Sequence, residues 1–294
     1  MHGMKRTSRV TITILADNAA SPPFAAEHGF SALIEAWDRD GGNPLVALLD
    51  TGRGALFGNA AAAGLDLSRV TDVILSHGHY DHTDALPDFL SRHPDARVHA
   101  SARIVQEHFS VSTGTCRAIG LSDATRKALS LLPAGRFGTF TGATLVADKR
   151  LALAEDIPRV NPLEEPSPLL FADALCSVPD TVPDELALWL ETEEGLVVLT
   201  GCCHAGFVNT CEHVLARSGG KKIRAVIGGF HLAGVGEARL EATAAYILER
   251  GIDRVVACHC TGEAETAALA SRLGGTSRKG DLVTKGAVGL AIEF

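Results

Sequence analysis

The chain lacks the features that mark nucleic-acid-binding and membrane-spanning proteins. Its formal charge is −8, and its basic residues form no run longer than pairs such as Lys221-Lys222. Nucleic-acid binders, by contrast, carry a clustered basic surface. The sequence also has no uninterrupted apolar stretch of about 18 residues, the length that a membrane helix would need. We therefore expect a protein that binds neither nucleic acid nor a membrane.

The N-terminus also lacks the apolar segment of a secretory signal. Met1 to Arg6 leads directly into an alternating strand pattern. The chain has seven cysteines, an odd number in a sequence too long to need disulfide crosslinks, which favours reduced thiols. We expect a cytoplasmic protein whose cysteines are free.

Hydrophobic patterning predicts alternating strands and helices in the first hundred residues. Arg9 to Leu15 alternates and is rich in β-branched residues, while Leu45 to Leu49 and Val73 to Leu75 are short buried runs, so we predict three strands. Helices are predicted at Gly58 to Gly64 and from Ala85 to Leu90. This is the pattern of an α/β fold, and the length suits one domain over residues 1–294.

Residues 110–172 lose this regular pattern. The segment is rich in Gly, Thr and Pro, and the stretch Asn161 to Pro168 cannot hold a regular element. Regular patterning returns with the apolar runs Leu186 to Leu190 and Leu196 to Leu199, joined at Glu193-Glu194-Gly195, which predicts a β-hairpin. We expect residues 110–172 to form a lid or an insertion beside the functional site.

The densest chemical signal is the run Ser76-His77-Gly78-His79-Tyr80-Asp81-His82, directly after a predicted strand. Its imidazoles and carboxylate are ligand types that suit zinc, iron and manganese. His77 and His79, two apart on extended backbone, project to the same side. Asp81 and His82 enter the next helix and can face the same cavity from another direction. We predict two divalent metal ions, zinc first, with iron, manganese or magnesium as alternatives.

In the second half of the chain a histidine follows each of three short apolar strands. These residues are His204, His231 and His259. In layered α/β folds the side chains at such strand-to-helix turns converge on one edge of the sheet. We therefore expect the three histidines to join the first cluster, while the intervening helices, Phe207 to Ala216 and Ala238 to Arg250, pack on the sheet.

Four cysteines flank these strand-end histidines. Two interpretations are open for them, either metal ligands and walls of the site or buried apolar residues. They are Cys202, Cys203, Cys258 and Cys260.

Six other histidines have no further ligand-type residues grouped around them in the sequence, and a solvated or packing role is favoured for most of them. They are His2, His28, His93, His99, His108 and His213.

The histidine cluster resembles the His-x-His-x-Asp-His hallmark of the metallo-β-lactamase superfamily. Within it, the chain is most similar to the group typified by the dihydropterin-methyl ribofuranosylaminobenzene phosphate synthases of methanopterin biosynthesis. The similarity covers nearly the whole chain apart from residues 110–172. The matching runs are Asp17-Asn18, His28 to Ser31, Leu49 to Gly52, Ser76 to Thr83, Thr200 to Gly206, Gly228 to Leu232 and Cys258 to Gly262. The resemblance implies an αββα sandwich, two mixed sheets face to face with helices outside and the metal site along one edge.

The resemblance also implies roles for individual residues. Asp50 would brace the metal loop by hydrogen bonds, and His259 would bind the same metal as Asp81 and His82. Apart from the resemblance, we expect Cys202 and Cys258 to form walls of the site, because each flanks a strand-end histidine. The complete set of predicted metal ligands is His77, His79, Asp81, His82, His204 and His259.

The chain departs from the family pattern at three places. Cys202 stands where the superfamily has the bridging Asp of Thr-Gly-Asp, and the third histidine of the first site is missing before the hairpin, where the chain offers only Asp180 to Asp184. We predict that His204 completes the site in their place. Asp84 stands where the subgroup has Gly-Gly before Leu. It adds a carboxylate near the metals or, as we favour, it or Thr83 caps the next helix.

The subgroup resemblance implies a transfer reaction, in which an arylamine attacks a dihydropterin-methyl diphosphate and pyrophosphate leaves. Metal ions fit this chemistry because they neutralise charge on the leaving diphosphate. His231 would act as hydrogen-bond donor or general acid, and Asp81 and His204 are the other candidate catalytic residues. The substrate would be a small, anionic molecule. Three arginines of the irregular segment could hold phosphate, although a solvated face is favoured for each: Arg117, Arg126 and Arg136.

Two other functions remain open. A metal-bound hydroxide at the same ligands would hydrolyse a phosphoester, lactone or thioester. A metal or thiol sensor without catalysis would account for the missing standard ligands and the cysteines around the site. The exposed edges of a two-sheet sandwich would permit a homodimer without requiring one.

Overall fold

In the computed structural model of this chain, the described residues are 3–39, 42, 44–274 and 282–294. The strands in this part are β1 (Arg9–Ala16), β2 (Ser31–Trp37), β3 (Leu45–Leu49), β4 (Asp72–Ile74), β5 (Arg97–Ser101), β6 (Phe109–Ser110), β7 (Arg117–Ala118), β8 (Phe137–Phe140), β9 (Ala143–Val146), β10 (Leu151–Ala154), β11 (Leu170–Phe171), β12 (Ala187–Glu191), β13 (Leu196–Thr200), β14 (Ile223–Gly229), β15 (Arg254–Cys258), β16 (Val283–Lys285) and β17 (Ala291–Glu293). The α-helices are α1 (Leu56–Ala62), α2 (Tyr80–Thr83), α3 (Leu86–Arg92), α4 (Asp123–Ser130), α5 (Phe207–Ser218), α6 (Glu237–Glu249) and α7 (Glu263–Leu273). Two short 3₁₀ helices span Leu67–Arg69 and His259–Thr261.

The strands form two large mixed sheets and one small sheet. The first large sheet has the order β17-β1-β2-β3-β4-β5-β8, and the second has the order β16-β15-β14-β13-β12-β10-β9. In each, one part is antiparallel and the other, β3-β4-β5-β8 or β13-β14-β15-β16, is parallel. The small sheet has the order β11-β6-β7. Parallel strands end together, so each large sheet brings several strand ends to one edge.

The two large sheets pack face to face because their strands are apolar on both sides. In β13, Val197 and Leu199 belong to the central core with β1, whereas Leu196 and Val198 pack with Phe207 of α5 and residues of α6 and α7. Side chains alternate between the two faces of a strand, so an unbroken apolar run buries both faces. A third cluster packs α1, α3 and α4 on the outer face of the first sheet. The αββα sandwich predicted from the sequence is confirmed.

The predicted strands and helices are also confirmed, with ends that shift by no more than two residues. The hairpin is present: β12 and β13 pair antiparallel, with Leu188 opposite Leu199, and the amide of Thr192 donates to the carbonyl of Gly195 at 2.9 Å. No helix in the described ranges has the length and apolar character to cross a membrane.

The predicted cap of helix α3 is wrong. Its N-cap residue is Ala85, and no side chain caps the helix. The hydroxyl of Thr83 instead donates to the carbonyl of His79 at 3.0 Å, because Thr83 still belongs to the short helix α2. Asp84 follows that helix, and burial raises the pKa of its carboxyl group. Two short helices in succession leave neither residue in position to cap α3.

The irregular segment 110–172 is divided between the sheets and the site. Its middle part forms α4 and strands β8, β9 and β10, which belong to the two large sheets. Asn161 to Pro168 holds no strand or helix, as predicted. The ends of the segment form the small sheet and the loop beside it. The two ends of the segment are therefore the parts that could form a lid. That the chain is a single domain stays a prediction.

A disulfide joins Cys116 to Cys176, so the prediction that all cysteines are reduced is wrong for this pair. The two residues are 60 positions apart, with Cα atoms 6.0 Å apart. Cys116 precedes β7, and Cys176 follows β11 in the same small sheet. The pairing of these strands brings the cysteines together, which spacing along the sequence did not indicate. The other five cysteines are free.

Trp189 of β12 provides a test of the packed core. It is the largest fully buried side chain, and its indole Nε1 has no hydrogen-bond partner among the described residues. We predict that Trp189→Ala lowers the free energy of unfolding by about 3–5 kcal/mol, because it leaves a cavity. Trp189→Phe should cost clearly less, because the phenyl ring leaves a smaller cavity and neither variant loses a hydrogen bond. Chemical denaturation followed by circular dichroism measures both, and equal losses would contradict this account.

Candidate metal centre

The carboxylate of Asp50 holds the loop that carries the histidine cluster. Asp50 follows β3, and the loop follows β4, its parallel neighbour. One carboxylate oxygen accepts from the amide of Ser76 at 2.7 Å, and the other accepts from the Ser76 hydroxyl at 2.6 Å and from Nδ1 of His82 at 2.7 Å. All three residues are buried. Because Nδ1 of His82 donates to Asp50, its Nε2 is left to face the centre.

Three histidines meet on one side of the centre. Nε2 of His77 lies 3.0 Å from Nδ1 of His79 and 3.3 Å from Nε2 of His204. Burial, reinforced by the neighbouring imidazoles, holds the pKa of His77 and of His204 well below the usual range. Burial and the charge of His108 lower the pKa of His79 to about 3. The three rings are therefore neutral, which is the form that binds a metal ion.

A carboxylate and three histidines meet on the other side. Oδ2 of Asp81 lies 3.2 Å from Nε2 of His259, 3.3 Å from Nε2 of His28 and 3.9 Å from Nε2 of His82. Although burial opposes ionisation, His82 and His259 hold the pKa of Asp81 far below its usual range. Burial would lower the pKa of His82, but Asp50 and Asp81 raise it to about 9. A metal ion bound at His82 would therefore displace a proton.

The thiol of Cys202 lies between these two groups. Its Sγ is 3.2 Å from Nε2 of His82. The sulfur also lies within 4.8 Å of the ligand atoms of His77 and His204, and within the same distance of those of His82 and His259. Burial raises the pKa of the Cys202 thiol well above its ordinary value. A cation next to the sulfur would reverse this effect and favour the thiolate.

The ends of β13, β14 and β15 supply the second half of the centre. The three strands are parallel neighbours, so their turns lie side by side. The turns are tight: Cys203, His231 and His259 have left-handed φ angles of 60°, 46° and 46°, conformations that cost energy and occur preferentially at functional sites. The ring of His231 lies 4.5 Å from that of His204. The structure thus brings together the three strand-end histidines predicted from the sequence.

A cavity of about 270 Å³ lies beside these residues. Its lining includes His79, Asp81, Cys202, His204 and His259 from the two groups. We call the two segments that complete its lining, residues 110–119 and 167–170, the roof; the small sheet and the disulfide connect them. The roof contributes hydroxyl, apolar and arginine side chains to the cavity. A small molecule bound there would contact the ligand cluster directly.

Known proteins resemble this chain in fold and in sequence. The structure matches that of Tm1679, a metal-dependent hydrolase of the beta-lactamase superfamily, with a TM-score of 0.77 and 28% identity over 96% of this chain and 98% of that one. It matches the metallo-beta-lactamase fold protein YhfI of Bacillus subtilis with a TM-score of 0.57, at 14% identity over 98% and 100% of the two chains. The second likeness, at this identity, concerns the fold alone.

Sequence comparison extends the likeness. Residues 28–108 match the model of the metallo-beta-lactamase superfamily. The chain is 28% identical over 274 residues to the 7,8-dihydropterin-6-methyl-4-(beta-D-ribofuranosyl)-aminobenzene-5'-phosphate synthase of Methanocaldococcus jannaschii, over 87% of this chain and 89% of that protein. It is 30% identical over 258 residues to an uncharacterised protein of the same organism, over 85% and 90% of the two chains. The chain belongs to the metallo-β-lactamase superfamily.

Superfamily members generally bind divalent metals, and the residues of this chain fit such ions. Nε2 of His79 and Nδ1 of His204 are buried without a hydrogen-bond partner among the described residues. Neutral imidazole nitrogens of His77 and His204 face each other at 3.3 Å. Unpaired buried nitrogen atoms are costly unless a partner satisfies them, and a cation would do so. Whether His204 replaces the missing superfamily ligands stays a prediction.

Cys202 and Cys258, the two cysteines predicted as walls of the site, lie in different surroundings. Cys202 lies within the ligand groups, whereas Cys258 packs in the core between the large sheets and belongs to none of the ligand groups formed by the described residues. Cys260, which also flanks a histidine, lies with Cys202 and His231 in a further group whose ligand atoms are within 4.8 Å of one another. Hydrogen bonds from Cys202 and His231 overcome the effect of burial and hold the pKa of Cys260 well below its ordinary value.

Sequence reasoning missed a buried network behind His79. Nδ1 of His108 lies 2.6 Å from Oδ2 of Asp180, and its Nε2 lies 3.3 Å from Oδ1 of Asp184. The other oxygen of Asp184 accepts from the amide of Gly78 at 2.7 Å. The ring of His108 stands perpendicular to that of His79 at 5.0 Å. The two aspartates, which the sequence offered only as a gap in the superfamily pattern, therefore support the metal loop.

A second missed residue, Glu185, holds the turn after β13. Its carboxylate accepts from the amides of His204 and Ala205, at 2.5 and 2.8 Å, and burial raises its pKa to about 7. The sequence favours a solvated or packing role for most of six histidines, but two of them, His28 in a run that matches the family and His108, join the centre. Three others, His93, His99 and His213, have packing or ion-pair roles elsewhere. His2 lies outside the described residues.

Asp184 gives a direct test of the network behind His79. We predict that Asp184→Asn weakens metal binding about 10–100-fold, because the loop amide of Gly78 and His108 lose their charged partner. Competition against a chromogenic chelator measures the affinity. The matched control is Asp156→Asn, which changes an exposed aspartate paired with Arg103. Equal metal affinity in the Asp184 variant and the wild type would show that the network does not support metal binding.

Proposed function

We propose that this chain is a metal-dependent transferase that joins an arylamine to a dihydropterin-methyl group and releases pyrophosphate. The M. jannaschii synthase, which matches nearly the full length of this chain, carries this product in its name. The observation that carries the proposal is the cavity of about 270 Å³, because the ligand cluster and the side chains of the roof both line it. A substrate in this cavity would contact the roof with its body and the ligand cluster with its reactive end.

Two groups of residues would hold divalent ions in this enzyme. His77, His79 and His204 form one group, and Asp81, His82 and His259 form the other, with Cys202 between them. When bound, the ions would supply positive charge that stabilises the departing diphosphate. Asp50 and Asp184 would keep the ligand loop in position through its amides and His82.

Arg117 in the roof would bind the diphosphate. It is the arginine among the three predicted candidates that lines the cavity. Its guanidinium can form two parallel hydrogen bonds to a phosphate group. Arg126 instead donates to the carbonyl of Val105 and to Glu107, and Arg136 pairs with Asp95. Those two are already engaged away from the cavity, so we assign them no role in the reaction.

Apolar residues of the same cavity would hold the flat pterin ring. Tyr80, Ile119, Leu169 and Leu170 all line it. Apolar and aromatic surfaces with a few polar groups are typical of small-molecule sites. A planar ring packed on these residues would orient its methylene carbon toward the ligand cluster, where the reaction takes place.

His231 would move the proton that the transfer releases. The arylamine nitrogen attacks the methylene carbon, a C–N bond forms, the C–O bond to the diphosphate breaks, and the amine loses one proton. Nδ1 of His231 is buried without a hydrogen-bond partner among the described residues. This imidazole can accept the proton from the amine and pass it to the departing diphosphate, and it returns to its starting state.

Hydrolysis is the second candidate function. Tm1679, at 28% identity and with a TM-score of 0.77, is described as a metal-dependent hydrolase. The same ligand groups would serve hydrolysis of a phosphoester, lactone or thioester. The two functions differ in the acceptor, which is water in one case and an amine in the other.

A single assay separates these functions. Metal-loaded protein is given dihydropterin-methyl diphosphate with and without ribofuranosylaminobenzene phosphate, and pyrophosphate release is followed. We predict that release requires the amine and that one pyrophosphate forms per coupled product. Release at the same rate without the amine would overturn the transferase proposal and favour hydrolysis.

The same assay tests Arg117. Arg117→Ala should raise the KM for the diphosphate substrate about tenfold or more, with a smaller effect on kcat, because a charge-assisted hydrogen bond to phosphate is lost. Arg126→Ala is the matched control and should leave both constants unchanged. An unchanged KM in the Arg117 variant would exclude the arginine from substrate binding.

A further inference from the structure

A second cavity, of about 640 Å³, adjoins the metal centre. It shares four lining residues with the cavity under the roof, so the two are neighbours: Ser167, Leu169, His231 and Ala233. A substrate that reacts beside His231 would extend from one cavity into the other. The second cavity is therefore a place where the rest of a substrate could bind.

The walls of this second cavity are mainly apolar, with one arginine. We call it the Arg239 groove, defined by Pro162, Leu163, Pro166, Val235 and Arg239. Prolines and aliphatic side chains form much of the wall, and its other polar side chains are Glu165, Ser167 and His231. A ligand with an apolar body and one anionic end would match this arrangement.

The guanidinium of Arg239 has two unused donors. Its Nε and Nη2 atoms are buried and make no hydrogen bond with the described residues. These two N–H groups lie on the same edge of the guanidinium and form the fork that binds two oxygens of one phosphate or carboxylate. Buried donors of this kind are rarely left without an acceptor. An anion in the groove would supply it.

The nearby acids do not supply this acceptor. Glu164 accepts from the amides of Val208 and Asn209, both at 2.8 Å. Burial raises its pKa, against the effect of these amides and of the Arg239 charge. Glu165 is exposed and lines the groove, yet it leaves Nε and Nη2 of Arg239 without a bond.

The helix that carries Arg239 adds to the attraction for an anion. Helix α6 has 13 residues and begins at the groove, with Gly236 as its N-cap and no side chain that caps its amides. The N-terminal end of a helix carries a partial positive charge. Gly236, at this end of the helix, and Arg239 both line the groove.

We propose that the Arg239 groove binds the phosphate group of the second substrate, with the phosphate on the fork of Arg239 and the reactive end beside His231. The assignment of this ligand as the arylamine acceptor rests on the transfer reaction proposed above. The binding of a phosphomonoester at Arg239 rests on the groove itself. A phosphorylated arylamine meets both requirements, since its ring and sugar would pack on the apolar wall.

The test is calorimetric titration of the metal-loaded protein with phenyl phosphate. We expect Arg239→Gln to weaken binding about tenfold or more, and Arg239→Lys to weaken it less, because lysine keeps the charge but lacks the fork. Arg250→Gln is the matched control, at the other end of the same helix, where Arg250 pairs with Glu212 at 2.6 Å. It should bind like the wild type.

The outcomes separate the groove from the reaction. Wild-type affinity for phenyl phosphate in a folded Arg239→Gln variant would overturn the proposal that the groove binds a phosphate at Arg239. The proposed transfer reaction would not be affected. If that variant does not fold, wild-type affinity in Arg239→Lys has the same meaning. Binding that depends on Arg239, together with pyrophosphate release that needs no amine, would support the groove and overturn the transfer reaction. In an active enzyme, the groove predicts a raised KM for the acceptor and an unchanged KM for the diphosphate substrate.

Discussion

The carboxylate of Asp50 is the interaction on which the metal centre depends. It accepts hydrogen bonds from the Ser76 amide, the Ser76 hydroxyl and Nδ1 of His82, all within 2.6–2.7 Å. These bonds fix the loop after β4 and the ring orientation of His82 at once. The carboxylate is buried at the end of the first sheet, so water does not weaken its hydrogen bonds. If the loop moved, His77 and His79 would move with it.

The centre also depends on the packing of the two large sheets. The histidine loop belongs to the first sheet, whereas His204, His231 and His259 follow strands of the second. The central core between the sheets therefore sets the distance between the two halves of the centre. A packed interior has few voids and resists deformation, so the packing of the two sheets holds the ligand atoms close together. This preorganisation is what a metal site requires.

The sequence was sufficient for the parts of the site that are local. The loop from His77 to His82 is contiguous, and the strand-end histidines follow apolar runs that could be recognised by their pattern. The αββα arrangement followed from the resemblance. What could not be predicted depends on residues far apart in the chain. His108 lies next to β6 of the small sheet, and the pairing of the strands in this sheet brings it to Asp180. The same pairing brings Cys116 to Cys176 in the disulfide. The unused donors of Arg239 were also invisible, because only the fold shows which arginines lack a partner.

Metal content is the measurement that tests the account most directly. Elemental analysis of protein purified without added metal should find about two zinc, iron or manganese ions per chain. His77→Ala and His204→Ala should each lower this content, while His93→Ala, which changes a ring packed against Phe89 away from the centre, should leave it unchanged. Wild-type protein with little or no metal, or full metal content in both ligand variants, would contradict the metal centre described above.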